Sequence, residues 1–149
     1  MKKIILIGQT GSGKTTICQW LHGEEMKYKK TQAVDFFDFA IDTPGEYLEN
    51  RFYYNALINT SADADYIGFI QDCTESQSVF PPTFGSIFSK PVFGIVTKID
   101  SAKKEGQIQQ AKEYLLLAGA EKVYPVSTVT GEGMQALVES LKAEENENG

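Results

Sequence analysis

Residues 4–15 constrain this chain more than any other stretch. An apolar, largely β-branched run, Ile4-Ile5-Leu6-Ile7, ends in Gly8-Gln9-Thr10-Gly11-Ser12-Gly13-Lys14-Thr15. That loop satisfies G-x-x-x-x-G-K-[ST], the phosphate-binding-loop pattern. Each position has a chemical reason. The glycines let backbone N–H groups converge on phosphate oxygens with no Cβ in the way. Gln9, Thr10, Gly11, Ser12 and Gly13 form the cradle, and Lys14 reaches the β- and γ-phosphates as a point charge. Thr15 offers a hydroxyl to Mg²⁺, which prefers hard oxygen ligands. Thr16 continues into a helix whose positive N-terminal end faces the anion. The competing reading is an ordinary strand–turn, and the strand–loop–helix context argues against it.

The remaining elements alternate in the same way. A helix is expected from Lys14 to Leu21, stopped by His22-Gly23, with Ile17 and Leu21 on its inner face. The charged segment Glu24 to Lys30 reads as a loop. Thr31 follows it, placed to close on Mg²⁺ and a γ-phosphate. Ala33 to Ile41 is rich in strand formers and ends in Asp42-Thr43-Pro44-Gly45-Glu46. An Asp closing the strand beside a phosphate loop can hold Mg²⁺ through water, and Gly45 can offer its N–H to a γ-phosphate. A helix from Glu46 to Ser61 should turn Leu48, Phe52, Leu57 and Ile58 inward and Asn50, Arg51 and Asn55 outward. Tyr66 to Gln71 is a strand. Phe80, Phe84, Ile87 and Phe88, around Pro81-Pro82, form one apolar face that suits either the core or a partner-docking surface.

Pro91 to Val96 is a buried strand ending in Thr97-Lys98-Ile99-Asp100. A carboxylate at Asp100 matches the N1–H and 2-amino donors of guanine, and the Lys98 stem can lie along a base. Gly106 to Ala118 is an amphipathic helix ended by Gly119. Val123 to Val126 is the last strand, leading to Ser127-Thr128. Met134 to Lys142 is the last helix. This alternation predicts a three-layer α/β domain with a mostly parallel sheet, its ligand at the carboxyl ends of the strands. The 149 residues read as one domain over 1–143 with an acidic polar tail over 144–149. A net charge of -6 argues against a nucleic-acid or anionic-membrane surface, yet a nest of N–H groups can still hold one nucleotide. Two cysteines without metal or disulfide spacing read as reduced thiols of a cytoplasmic protein. No segment approaches the ~18 apolar residues of a membrane span.

Taken together, Gly8 to Thr15, Thr31, Asp42 to Gly45 and Thr97-Lys98-Ile99-Asp100 resemble a small Ras-like, translation-factor-class P-loop GTPase over essentially the whole chain. Ser127-Thr128 lies where that class makes a backbone contact to the base. More narrowly, GQTGSGKTTICQWL, YKKTQAVDFFDFAIDTPGEYLENRFYYNAL and FPPTF resemble the ethanolamine-utilisation EutP / propanediol-utilisation PduV family. The resemblance implies Mg²⁺, a purine nucleotide (GTP/GDP or ATP/ADP), and association with bacterial microcompartments and their shell or enzyme proteins. An acetate kinase activity has been attributed to the EutP branch. The chain departs from the wider class in three places. Thr97 replaces Asn, which implies the loss of one hydrogen bond bracing the phosphate loop or base. Glu46 replaces a water-positioning Gln, which implies slow hydrolysis. Only ten residues separate Thr31 from Asp42, too few for a long hairpin, so the switch I/β2 region should be shortened.

Three functions are compatible with these residues and with the resemblance, which alone supplies acetate as a substrate. One is a guanine-nucleotide switch with slow turnover, in which Lys14, Gly45 and Glu46 act on the γ-phosphate. The second is a small acetate kinase, and the third a non-catalytic docking module stabilised by nucleotide.

Overall fold

The structure, a computed structural model, describes residues 2–31 and 37–148. Strands β1 (Lys2–Gly8), β2 (Phe37–Asp42), β3 (Tyr66–Asp72), β4 (Val92–Thr97) and β5 (Val123–Pro125) alternate with helices. The helices are α1 (Lys14–Thr31), α2 (Glu46–Glu49), α3 (Tyr54–Ser61), α4 (Glu105–Ala118) and α5 (Met134–Asn148). The strands form one sheet in the order β2-β1-β3-β4-β5, and every pairing is parallel. Parallel strands need crossovers, and α1, α3 and α4 are long enough to make them. Strand β2 pairs directly with β1, and no antiparallel hairpin occurs among the described residues.

Side-chain alternation along the strands divides the core in two. Ile4 and Leu6 of β1 pack with Ile17 and Leu21 of α1 and with Met134, Leu137 and Val138 of α5. Ile5 and Ile7 face the other way, onto Leu48, Leu57, Phe69 and Leu115. Both faces of the sheet are therefore covered, which gives the three layers expected from the alternation. Every residue of β3 and β4 is buried, in keeping with their continuous apolar runs.

Several boundaries differ from the sequence reading. Helix α1 does not stop at Gly23 but continues to Thr31, so the expected loop over Glu24 to Lys30 is helical. A mid-helix glycine costs only about 1 kcal/mol, and Glu24, Glu25, Met26 and Lys27 beyond it are good helix formers. The expected helix over Glu46 to Ser61 is broken at Asn50, whose backbone is extended (φ −132°, ψ 117°). Its side-chain oxygen accepts from Phe52 N at 2.9 Å, a local bond that competes with the helix. The break turns Phe52 outward, 82% exposed, where an inward face was expected. Its ring meets Tyr53 edge-on, and Tyr53 stacks on Tyr47.

The segment around Pro81-Pro82 is core. Phe80, Phe84 and Phe88 are buried around Phe69, while Ile87 is partly exposed. Helix α5 runs past Lys142 to Asn148, so the backbone of the acidic tail continues the helix. Of the strand expected over residues 33–41, positions 37–41 belong to β2 and 33–36 lie outside the described residues.

Candidate functional site

Parallel pairing brings the carboxyl ends of the strands to one edge. Gly8 lies opposite Ile70, Leu6 opposite Asp42, and Asp72 opposite Thr97. Val96 lies opposite Pro125, which places Ser127 just beyond the same edge. Residues from five separate stretches of sequence thus surround one loop.

That loop, residues 8–15, has the conformation its glycines permit. Gly11 (φ 82°) and Gly13 (φ 103°) are left-handed, which side chains with a Cβ adopt only with strain. Ser12 N donates to the Gln9 carbonyl at 3.0 Å, and Ile17 N donates to Gly13 O at 3.0 Å as α1 begins. Thr10 is exposed at the turn, and Thr15 and Thr16 are exposed at the helix start. The first turn of α1 carries no acidic residue, so its positive end remains open to an anion. Lys14 is largely buried, its side chain 7% exposed.

Two of the three donors expected for a metal, Thr15 and Asp42, meet at this end. Thr15 Oγ1 donates to Asp42 Oδ2 at 2.5 Å, and Lys14 Nζ lies 3.8 Å from Asp42 Oδ1. One hydroxyl and one carboxylate side by side suit Mg²⁺, which commonly completes its octahedron with water and phosphate oxygens. No cluster of three or more His, Cys, Asp or Glu occurs among the described residues. Thr31, expected as a further ligand, is not brought here: α1 runs unbroken from Lys14 to Thr31, so Thr15 and Thr31 lie at its opposite ends, about 24 Å apart along the axis. Asp42 also acts on Cys18: burial first, then this carboxylate, pushes the Cys18 thiol above its ordinary value.

The Asp42 turn is fastened to the loop. Thr43 Oγ1 donates to Leu6 O at 2.8 Å. Gly45 packs against the backbone of Thr10 so closely that a Cβ would land on Thr10 N and Oγ1 and come within 2.7 Å of its Cα. Glu46, the first residue of α2, is exposed beside this contact.

On the other side, the end of β4 grips the loop. Thr97 Oγ1 donates to Ser12 O at 2.6 Å and lies 3.5 Å from Gln71 O. The brace that a threonine was expected to lose is therefore present, although a single hydroxyl hydrogen is committed to it. Lys98 is left-handed (φ 62°), and its Nζ donates to Gly11 O at 2.7 Å. Cys73 Sγ donates to Lys98 O at 3.3 Å. Asp100 Oδ1 accepts from Ser127 Oγ at 2.7 Å, and Thr130 N donates to that same Ser127 Oγ at 3.1 Å. Thr128 is half-buried in the turn after Ser127. An open cleft of about 270 Å³, bordered by Gly11, Gly13, Lys14, Thr15, Thr16 and Lys98, lies between the two sides.

One participant was missed in the sequence. Asp72 closes β3, and its Oδ2 lies 2.9 Å from Lys98 Nζ. Its Oδ1 accepts from Thr74 N at 2.8 Å and Thr74 Oγ1 at 2.7 Å. Burial alone would raise this carboxyl, but the hydrogen bonds from Thr74 and Lys98 outweigh it and hold the carboxyl below its ordinary value. The available signal was an Asp closing a strand that begins with the apolar run Tyr66 to Ile70, at the edge where Asp42 and Asp100 also fall.

A family model described as "Ethanolamine utilisation - propanediol utilisation" matches residues 1–143. The propanediol utilization protein PduV of Citrobacter freundii is 40% identical over 146 residues, covering 98% of this chain and 97% of the relative. The probable acetate kinase EutP of Escherichia coli K12 is 33% identical over 144 residues, covering 95% and 89%. Among solved structures, the cytosolic domain of the Thermotoga maritima FeoB iron transporter in its GMPPNP form superposes with a TM-score of 0.65 at 24% identity. That match covers 97% of this chain and 63% of the FeoB chain, and shows a shared fold.

Proposed function

The chain belongs to the ethanolamine utilisation–propanediol utilisation family, and from its site we propose that it is a Mg²⁺-dependent purine nucleoside triphosphate-binding protein. On this reading GTP is the favoured nucleotide, hydrolysis is slow, and the protein serves ethanolamine or propanediol utilisation beside a microcompartment. The carrying observation is the Thr15 hydroxyl on the Asp42 carboxylate with Lys14 Nζ alongside. A bare phosphate cradle needs no carboxylate; a triphosphate site that recruits a divalent cation does.

The backbone N–H groups from Gly11 to Thr15 bind the β-phosphate, and Lys14 reaches across to the γ-phosphate. Thr15 and Asp42 would hold Mg²⁺, and the ion would supply positive charge beside the phosphate oxygens. Gly45 N–H donates to the γ-phosphate when the Thr10 contact opens. Asp100 accepts from the guanine edge while Ser127 holds it in place, and Thr128 lines the base. Glu46 brings a carboxylate rather than an amide to the γ-phosphate, so water is positioned poorly and turnover is slow.

Equilibrium binding of GTP, ATP and XTP, with Mg²⁺ and with chelator, tests this on wild type and Asp100→Asn. The reading expects Mg²⁺-dependent GTP binding and a shift toward XTP in the variant. Absence of nucleoside triphosphate binding at micromolar concentrations overturns it.

A second reading is phosphoryl transfer to acetate, supported by the name of the Escherichia coli relative. Acetate-stimulated release of nucleoside diphosphate decides it, and no stimulation rejects it.

A further inference from the structure

We propose that Asp72 is a positioning residue for the nucleoside half of the site. It pins the Lys98 ammonium so that the lysine stem is already laid along the cleft before a nucleotide enters. The proposal rests on the nucleotide-binding reading given above.

Among the described residues, Lys98 is the one side chain on the cleft wall that comes from outside the phosphate loop and its helix. Its left-handed backbone at the end of β4 sends the side chain back toward the loop, where Nζ meets Gly11 O at 2.7 Å. A lysine 43% exposed is not held by a single carbonyl, because its flexible stem has much rotamer freedom to lose. The second anchor is Asp72 Oδ2 at 2.9 Å. Unlike a surface partner, this carboxylate is itself buried and hydrogen-bonded. Its side chain is 7% exposed, its other oxygen accepts two hydrogen bonds from Thr74, and it lies opposite Thr97 in the β3–β4 register.

The chain of restraint therefore runs from Thr74 through Asp72 to Lys98. Besides the Lys98–Gly11 bond, the phosphate loop has three supports that do not pass through Asp72: the Thr97 hydroxyl on Ser12 O, the Ser12–Gln9 turn, and the Thr15–Asp42 bond. Removing the Asp72 charge should consequently loosen the nucleoside end and leave the phosphate end standing.

The test compares Mg·GTP with Mg·tripolyphosphate, a ligand that has the phosphates and no nucleoside, on wild type, Asp72→Asn and Asp72→Glu. Asp72→Asn keeps the shape and an acceptor for Thr74 but lacks the charge. It should weaken GTP binding about tenfold, commensurate with the rotamer freedom of one lysine, and change tripolyphosphate binding by less than twofold. Asp72→Glu, which restores the charge, should recover part of the GTP affinity. Equal loss toward both ligands would make Asp72 a general structural brace and overturn the proposal, as would unchanged GTP binding in Asp72→Asn. Wild type that bound tripolyphosphate but no nucleoside triphosphate would overturn the nucleotide reading itself, and this proposal with it.

Discussion

The Thr97 hydroxyl donates to the Ser12 carbonyl at 2.6 Å, joining residues 85 positions apart in sequence, and both residues are buried. It fastens the end of β4 to the middle of the phosphate loop. Thr97→Val keeps the volume and removes the donor, which leaves a buried carbonyl with a partner missing. The expected cost is about 1–3 kcal/mol, read as a lower urea midpoint, and Thr97→Ser should recover most of it. A midpoint unchanged in Thr97→Val would show that the brace contributes nothing.

On the proposed reading, Asp42 would hold Mg²⁺ through water. Asp42→Asn keeps an acceptor for Thr15 and removes the charge. Nucleoside triphosphate affinity in Mg²⁺ should fall about 10–100-fold, the scale for losing an outer-shell partner of a metal. With chelator present, wild type and variant should bind alike. Calorimetric titration under both conditions checks this.

Gly45 has an ordinary right-handed backbone (φ −59°, ψ −32°), so alanine brings no dihedral strain there. The obstacle is space, since the new Cβ meets Thr10 backbone atoms that cannot rotate away. Gly45→Ala should destabilise by about 1–3 kcal/mol, as overpacking does. It should also displace the Thr10 amide, visible as a large change in its nuclear magnetic resonance shift. A Thr10 signal left in place would place the contact elsewhere.

The Asp72 carboxyl is held below its ordinary value near 3.8 when folded. A depressed carboxyl stabilises the fold fully above the unfolded value, and that contribution is lost as pH falls through the folded one. Wild type should therefore exceed Asp72→Asn in stability at pH 6–7, and the gap should close as pH drops below about 4. Urea midpoints for both proteins from pH 7 to pH 3 measure it. A gap that is constant across this range would mean that the charge is not the source.

Phe84 and Phe52 separate burial from mere hydrophobicity. Phe84 is 4% exposed and touches the rings of Phe69, Phe80, Phe88 and Tyr54, whereas Phe52 is 82% exposed. Phe84→Ala should cost about 3–5 kcal/mol, and Phe52→Ala less than about 0.5 kcal/mol. Thermal melts of the two variants settle the comparison.

The residue types at this site could be read from the chain because their chemistry is local. A glycine-rich turn between a strand and a helix, an Asp or a Thr-Lys-x-Asp closing an apolar run, and the period of each segment are all properties of short stretches. The alternation of those stretches also implied the three layers and the parallel sheet. Other features turn on small free-energy differences between local alternatives or on partners far away in sequence. Gly23 ends a helix or is passed over according to small differences in free energy. Asn50 breaks a helix because its own side chain captures the amide of Phe52, and that break decides that Phe52 faces water. Above all, Thr97 on Ser12 and Lys98 between Gly11 and Asp72 exist because the β3–β4 register sets Asp72 opposite Thr97. A register is chosen by the packing of the whole sheet, so no single stretch encodes it, and this pairing is what makes Asp72 part of the site.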